Sequence, residues 1–132
     1  MKKLQVHFLG GSGTVTGSKF YLHTDEIKIL VDCGLFQGVK ELREQNWERL
    51  PIDVSQIDYV LLTHGHLDHC GYLPLLVRQG FRGKILGTLP TLEIARIILE
   101  DSAKIQEEEA DNVNKEAYSK HNPALPLYTK ED

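Results

Sequence analysis

The sequence predicts an α/β fold with strands at its centre and helices outside. Two observations favour this class. The first 32 residues contain three short segments of strand-like alternation separated by turn residues, whereas later apolar runs are followed by loops and segments of helical spacing. A length of 132 residues, with 41% hydrophobic and 26% charged residues, is that of one globular domain. Functional side chains in such layered domains lie on loops at strand ends.

Three strands are predicted at the start of the chain. Residues 4–9 alternate well enough for a strand, and the glycine-rich residues 10–18 then turn the chain. Their glycine spacing fits neither the dinucleotide fingerprint nor the phosphate loop, so we interpret them as a turn. Residues 19–23 and 26–32 predict two more strands, joined as a hairpin. The opening should therefore be an antiparallel meander.

The middle of the chain predicts a short surface helix and a buried strand. Residues 39–50 are mostly polar, so any helix there is short, and Pro51 ends it. Residues 59–62 (Tyr-Val-Leu-Leu) are all apolar, which is typical of a short strand that is covered on both faces.

Two helices and a strand are predicted in the last part of the chain. Residues 73–79 predict a helix with a proline in its first turn, and Gly80 suits the position just after its end. Residues 84–87 predict a short strand. A long helix is expected from Pro90 to about Lys115, because apolar side chains recur there near helical spacing.

The segment after the buried strand is the most informative one. Residues 63–71 read Thr-His-Gly-His-Leu-Asp-His-Cys-Gly and contain four possible metal ligands, His64, His66, Asp68 and His69. Imidazole nitrogen and carboxylate oxygen are donors that zinc and its neighbours in the transition series bind. The segment therefore predicts a metal site at a strand end.

The spacing of these donors suggests how they are shared. His64 and His66 point to the same side of an extended chain, so they can chelate one ion. Asp68 repeats that spacing, and the adjacent His69 must then point elsewhere, so this second pair suits a second ion. Two ions about 3.5–4 Å apart can share a bridging hydroxide that attacks a phosphoryl or carbonyl centre.

Two structural alternatives stay open, namely clustered histidines in a solvated loop and a closed structural zinc site. Structural zinc sites favour cysteine ligands, but Cys70 lies outside the ligand spacing. We interpret Cys70 as a small buried packing residue. The helical His-Glu-x-x-His pattern of metalloproteases does not match, and we expect the segment not to be helical.

The ligand segment resembles the His-x-His-x-Asp-His signature of the metallo-β-lactamase superfamily of hydrolases. Three segments, one of which includes the ligands with their flanking residues, resemble its β-CASP branch, whose best-known members are RNA-processing nucleases. They are residues 31–38 (VDCGLFQG), 62–74 (LTHGHLDHCGYLP) and 101–108 (DSAKIQEE). The resemblance extends from about residue 8 to residue 128.

The resemblance implies an α/β fold that is the N-terminal portion of an αββα sandwich. Residues 1–132 would all belong to this incomplete portion, and the remaining half and the β-CASP insert would be absent from it. Thr129 with an acidic residue three positions later predicts the start of a further helix. A partial sandwich should leave one sheet face uncovered, so we expect a partner or a homo-oligomer to cover it.

The resemblance also implies roles for single residues. His64 and His66 would hold one zinc ion, and Asp68 and His69 a second, with partial occupancy in this chain. Asp68 would also act in catalysis by orienting the nucleophile. Asp32 has two interpretations: it caps the turn after its strand, or it assists catalysis by hydrogen bonding a ligand histidine or a metal water.

The implied activity is hydrolysis of RNA phosphodiester bonds by a di-metal-bound hydroxide in the complete enzyme, with this chain alone inactive. Hydrolysis of thioesters or other acyl groups would use the same nucleophile. A truncated, non-catalytic paralogue that acts as an interaction module is a third alternative. Only the segments that flank the ligands favour RNA.

Composition limits the setting of the protein. A formal net charge of −4 argues against an RNA-binding surface on this chain by itself, although two divalent cations would offset it.

The sequence has no apolar run long enough to span a membrane and no signal-peptide pattern. Its two cysteines fit a reducing compartment, so we expect a cytoplasmic location. His7, His23 and His121 lack ligand-like neighbours, and we expect His121 to lie in an exposed loop.

Overall fold

A five-stranded mixed sheet is the centre of the computed structural model, which describes residues 3–116 and 124–132. The strands lie in the order in which they occur, antiparallel in the first two pairs and parallel in the last two. The predicted antiparallel opening is therefore confirmed. His121 lies outside the described residues. The strands are β1 (Gln5–Gly10), β2 (Lys19–His23), β3 (Lys28–Val31), β4 (Tyr59–Leu61) and β5 (Lys84–Leu86).

Helices connect and follow the later strands. They are α1 (Lys40–Glu44), α2 (Leu67–Cys70), α3 (Leu73–Arg78) and α4 (Leu89–Glu116), with 3-10 turns at Gln45–Trp47 and Val54–Gln56. The predictions of α3 and α4 are confirmed, and Gly80 after α3 has the positive φ, 117°, that favours glycine. None of the described helices is long and apolar enough to cross a membrane.

The hairpin turn between β2 and β3 is longer than predicted. The Thr24 N–H donates to the Ile27 carbonyl (2.9 Å), and the Thr24 hydroxyl oxygen accepts from the N–H groups of Glu26 and Ile27 (3.2 Å each). These local hydrogen bonds satisfy the backbone through Ile27. As a result, β3 begins at Lys28 and not at Glu26.

One face of the sheet belongs to the hydrophobic core. Tyr21, Leu30 and Val60 project from β2, β3 and β4 into a single buried cluster that also contains Leu76 of α3 and Ala95 of α4. Full burial of a valine or leucine side chain stabilises the fold by about 1.5–3 kcal/mol. The core therefore fixes the central strands, and with them the loops at the strand ends.

The opposite face of the sheet is apolar and is not buried. The strand register places Phe8, Phe20, Val31, Leu61 and Leu86 in one row across all five strands. Phe8 is 66% exposed and Leu86 is 43% exposed, and the three residues between them are partly exposed. An uncovered face of this kind is what the sequence led us to expect. We call this row the open sheet face, together with its register neighbours Val6, Leu22, Ile29 and Tyr59.

The last residues of the chain are anchored on α3 and α4. Tyr128 is fully buried, and its hydroxyl group is hydrogen-bonded to Ser102 (2.9 Å). Arg78 donates hydrogen bonds to the carboxylate of Asp132, which lowers the pKa of that carboxyl group. The Thr129 N–H also donates to this carboxylate (2.8 Å), so the cap predicted for a helix start is present as a single turn.

Candidate metal centre

The candidate site lies where β3 and β4 end side by side. The Asp32 N–H donates to the Leu61 carbonyl (2.8 Å), which extends the parallel pairing by one residue beyond β3. Residues 63–69 leave the end of β4 at the same edge of the sheet. Parallel pairing thus brings Asp32 next to the predicted ligand segment, 31 residues further along the chain.

The ligand segment turns into a helix at His66, which corrects the expectation that it is not helical. His66 is the N-cap of α2 with extended φ and ψ angles of −70° and 150°, and its carbonyl accepts from the N–H groups of His69 (2.9 Å) and Cys70 (3.0 Å). Adjacent side chains on a helix diverge by about 100°, compared with about 180° on a strand. Asp68 and His69 can therefore reach the same side.

The geometry of Asp68 and His69 corrects a second expectation. His69 Nε2 lies 3.3 Å from Asp68 Oδ2, so His69 does not point away from Asp68. The His64 ring is also close, with its centroid 3.9 Å from that of His69. The structure thus gathers donors from both of the pairs that the spacing predicted.

Three of the four predicted ligands form one donor group. One donor atom each from His64, Asp68 and His69 lies within 4.8 Å of the other two, and all three side chains are partly exposed. Among residues 3–116 and 124–132, no other three His, Cys, Asp or Glu donors lie this close together. Donors on a tetrahedral zinc ion with bonds of about 2.0–2.2 Å lie roughly 3.3–3.6 Å apart, so donors within 4.8 Å of one another can bind one ion after side-chain rotation.

His66 is the predicted ligand that the structure leaves outside this group. Its side chain is exposed, and its ring lies edge-on to that of His64 with centroids 4.8 Å apart. The N-cap position at the start of α2 turns its backbone away from the helical residues that follow. His66 therefore lies next to His64 but outside the group that His64 forms with Asp68 and His69.

Asp32 is the buried centre of the hydrogen bonds around these donors. It is only 3% exposed. Its Oδ1 accepts from the Thr63 N–H (2.8 Å), and its Oδ2 lies 2.8 Å from the Thr63 hydroxyl oxygen and 2.9 Å from His69 Nδ1. The carboxylate is thus directed at the ligand segment instead of at the turn after β3. The structure thus brings Asp32 into contact with His69, one of the predicted ligands.

Residues 33–35 hold α2 in place, and sequence reasoning missed this contact. The N–H groups of Cys33 and Leu35 donate to the His69 carbonyl (2.8 Å) and the Leu67 carbonyl (3.2 Å). A Cβ atom on Gly34 would lie 1.6 Å from the Asp68 carbonyl oxygen, so only glycine fits. The glycine after Asp32 was visible in the sequence, but its partner in space was not.

Both cysteines are packing residues. Cys70 is fully buried, its thiol lies 3.4 Å from the Gly65 carbonyl oxygen, and burial raises its pKa to about 12. Burial also raises the pKa of Cys33 to about 12. A thiol with so high a pKa is a poor nucleophile at neutral pH, because the thiolate is the reactive form. The interpretation of Cys70 as a packing residue agrees with this environment.

The chain has relatives among curated proteins. It is 43% identical over 99 residues to Ribonuclease TTHA0252 of Thermus thermophilus, covering 75% of this chain and 22% of the relative. It is 37% identical over 111 residues to Transcription termination factor FttA of Methanococcus maripaludis (83% and 18%) and 31% identical over 106 residues to Probable RNase MJ4 of Methanocaldococcus jannaschii (80% and 24%). The chain thus spans about a fifth of the length of these relatives.

The fold also has solved counterparts. The chain matches the crystal structure of the metallo-β-lactamase SMB-1 in a complex with mercaptoacetic acid with a TM-score of 0.50 and 24% identity, over 69% of this chain and 34% of that one. This likeness confirms the α/β fold class and its partial extent. The sequence profile of the metallo-β-lactamase superfamily matches residues 13–110. The profile match covers the ligand segment, Asp32 and most of the sheet, and the chain therefore belongs to the metallo-β-lactamase superfamily.

Proposed function

We propose that the complete protein is a metal-dependent ribonuclease of the β-CASP branch. The observation that carries this proposal is the group of His64, Asp68 and His69 donors, with His69 held by the buried Asp32. Two relatives are named as ribonucleases and a third as a transcription termination factor, which supports RNA as the substrate. Because the match spans only about a fifth of the length of those relatives, the activity is proposed for the longer protein and not for this chain.

Zinc is the metal that we propose for the site. Two imidazoles and a carboxylate are donors that zinc accepts, and a catalytic zinc keeps a further position open. A divalent ion held here would supply Lewis acidity for the phosphoryl oxygens and promote deprotonation of water. His66 and ligands from outside this chain would complete a site for two ions. Partial occupancy is therefore expected in this chain alone.

The residues of this chain have separate tasks in the proposed reaction. Asp68 acts as a ligand and also orients the attacking water by accepting a hydrogen bond from it. Asp32 lies too deep to touch the substrate, so it acts by fixing His69. The net charge of −4 leaves the binding of the RNA strand to surfaces outside this chain.

The proposal is tested on the full-length protein with two substrates. Single-stranded RNA and a thioester are each assayed with and without a metal chelator, and with the Asp68→Asn variant. Cleavage of RNA alone, lost with chelator and in the variant, is the expected result. Thioester hydrolysis alone would instead identify an acyl hydrolase, and a fully loaded protein inactive on both substrates would identify an interaction module. The 132-residue chain alone should cleave neither substrate.

We also propose a setting and an assembly for this chain. A reducing, cytoplasmic location is supported by Cys33 and Cys70, which are both free and buried. Self-association of the isolated chain is supported by the open sheet face, because exposed contiguous apolar surface of this kind marks an interaction site.

A further inference from the structure

A single buried carboxylate is connected to two of the three donors. Asp32 Oδ2 contacts His69 Nδ1 directly, and it contacts the Thr63 hydroxyl, whose oxygen lies 3.1 Å from His64 Nδ1. We propose that Thr63 is a positioning residue whose hydroxyl group fixes the tautomer and orientation of His64. One carboxylate then controls both histidines, directly for His69 and through Thr63 for His64. This inference rests on the metal site proposed above.

The direction of each hydrogen bond follows from which atoms can donate. A carboxylate only accepts, so the Thr63 hydroxyl donates its single proton to Asp32, and His69 donates from Nδ1. With its proton used, the Thr63 oxygen can only accept at its contact with His64. His64 Nδ1 must therefore carry a proton too.

The consequence lies at the other nitrogen of each ring. With Nδ1 protonated, His64 and His69 both keep the Nε2 lone pair for a metal. His69 Nε2 already faces the Asp68 carboxylate across 3.3 Å, on the side of the donor group. Metal-ligating histidines that donate their second ring N–H are held in one orientation and are more basic ligands.

Thr63 is itself held in the position that this role requires. Its N–H donates to Asp32 Oδ1 (2.8 Å) and its hydroxyl donates to Oδ2 (2.8 Å), so both carboxylate oxygens accept hydrogen bonds from Thr63. A two-point contact of this kind fixes both the backbone and the side-chain rotamer of Thr63. Serine preserves both contacts, whereas valine preserves the shape and the N–H contact and removes only the hydroxyl.

The test compares Thr63→Val with Thr63→Ser in the 132-residue chain. The tautomers are read from imidazole ¹⁵N resonances of the metal-free protein, and Zn²⁺ affinity is measured by competition with a chromophoric chelator. In the wild type and in Thr63→Ser, both histidines should be protonated at Nδ1. In Thr63→Val, only His64 should lose this preference, His69 serving as the internal control, and Zn²⁺ should bind about 10- to 100-fold more weakly.

Two results would overturn the inference. One is a wild-type chain in which His64 is protonated at Nε2, a measurement that stands even when the valine variant does not fold. The other is a folded Thr63→Val chain with unchanged His64 tautomer and unchanged Zn²⁺ affinity. Neither readout uses RNA. The substrate assay can therefore contradict the ribonuclease proposal without contradicting this inference, and the reverse also holds.

Discussion

At the scale of single residues, Asp32 combines a strained backbone with a side chain whose two oxygens both accept hydrogen bonds. Its φ of 59° places a non-glycine residue in the left-handed region, which costs about 1–2 kcal/mol. The cost is tolerated because its carboxylate accepts from Thr63 and His69, and hydrogen bonds to a charged group each contribute about 1.5–3 kcal/mol. Strain that is held in place by the surrounding structure is typical of functional sites.

Lys19 is a second residue that is unusual for its location. It is only 1% exposed, and its ammonium group lies over the rings of Phe36 (4.4 Å) and Tyr72 (4.8 Å) and donates to the Gly17 carbonyl (3.3 Å). Burial lowers the pKa of Lys19 from 10.5 to about 8, because the protein interior solvates the charge poorly. The cation–π contacts offset only part of that loss.

The depressed pKa of Lys19 predicts how stability changes with pH. Between pH 8 and pH 10.5 the unfolded chain binds a proton that the folded chain does not, so the free energy of unfolding should rise with pH across this window. At pH 7 both states are protonated, and Lys19→Met should stabilise the fold by about 1–3 kcal/mol, since it removes a buried charge. Urea unfolding at several pH values measures both effects.

The matched control for Lys19 is Lys130→Met, which removes an exposed charge. The stability difference between Lys19→Met and wild type should shrink as the pH rises through the window, whereas Lys130→Met should show little difference at any pH. A Lys19→Met chain that is less stable than wild type at pH 7 would show that the ring contacts outweigh desolvation.

At the scale of elements, the four-residue helix α2 explains what sequence reasoning missed. The long α4 repeats its apolar spacing over many turns, so its range was predicted almost to the residue. Helix α2 has a single turn and therefore no periodicity to recognise. The identities of the donors were readable, but the approach of His69 to Asp68 depends on that one turn.

The contact between Gly34 and α2 predicts the effect of a methyl group. Because a Cβ atom at residue 34 would lie 1.6 Å from the Asp68 carbonyl oxygen, Gly34→Ala must displace α2 or residues 33–35. We expect destabilisation of about 3 kcal/mol or more and weaker Zn²⁺ binding, measured by urea unfolding and chelator competition. Gly87→Ala is the control, since its Cβ atom would meet its nearest neighbour at an ordinary 3.4 Å. Equal stability of the two variants would contradict this prediction.

At the scale of the whole molecule, the sheet shows which features of the fold can be predicted from the sequence. Strand β2 was predicted with its observed bounds, because turn residues flank a short alternating segment. The apolar run of residues 59–62 was expected to be covered on both faces, but only Val60 and Leu62 are buried, whereas Tyr59 and Leu61 lie partly exposed on the open sheet face. An apolar strand indicates that both of its faces pack against other residues. It does not indicate whether those residues belong to the same chain.

The open sheet face predicts that the isolated 132-residue chain self-associates. Its central row of Phe8, Phe20, Val31, Leu61 and Leu86 crosses all five strands, and association would remove this apolar surface from water at about 25 cal/mol per Å². Phe8→Lys places a charge at the most exposed member of the row and should convert oligomer to monomer in light scattering. Val15→Lys, at a 92% exposed loop position outside the sheet, should leave the oligomer intact, because there the charge meets only solvent. A wild-type chain that stays monomeric at high concentration would contradict the prediction. Equal dissociation by both variants would show that the contact between chains does not lie on the open sheet face.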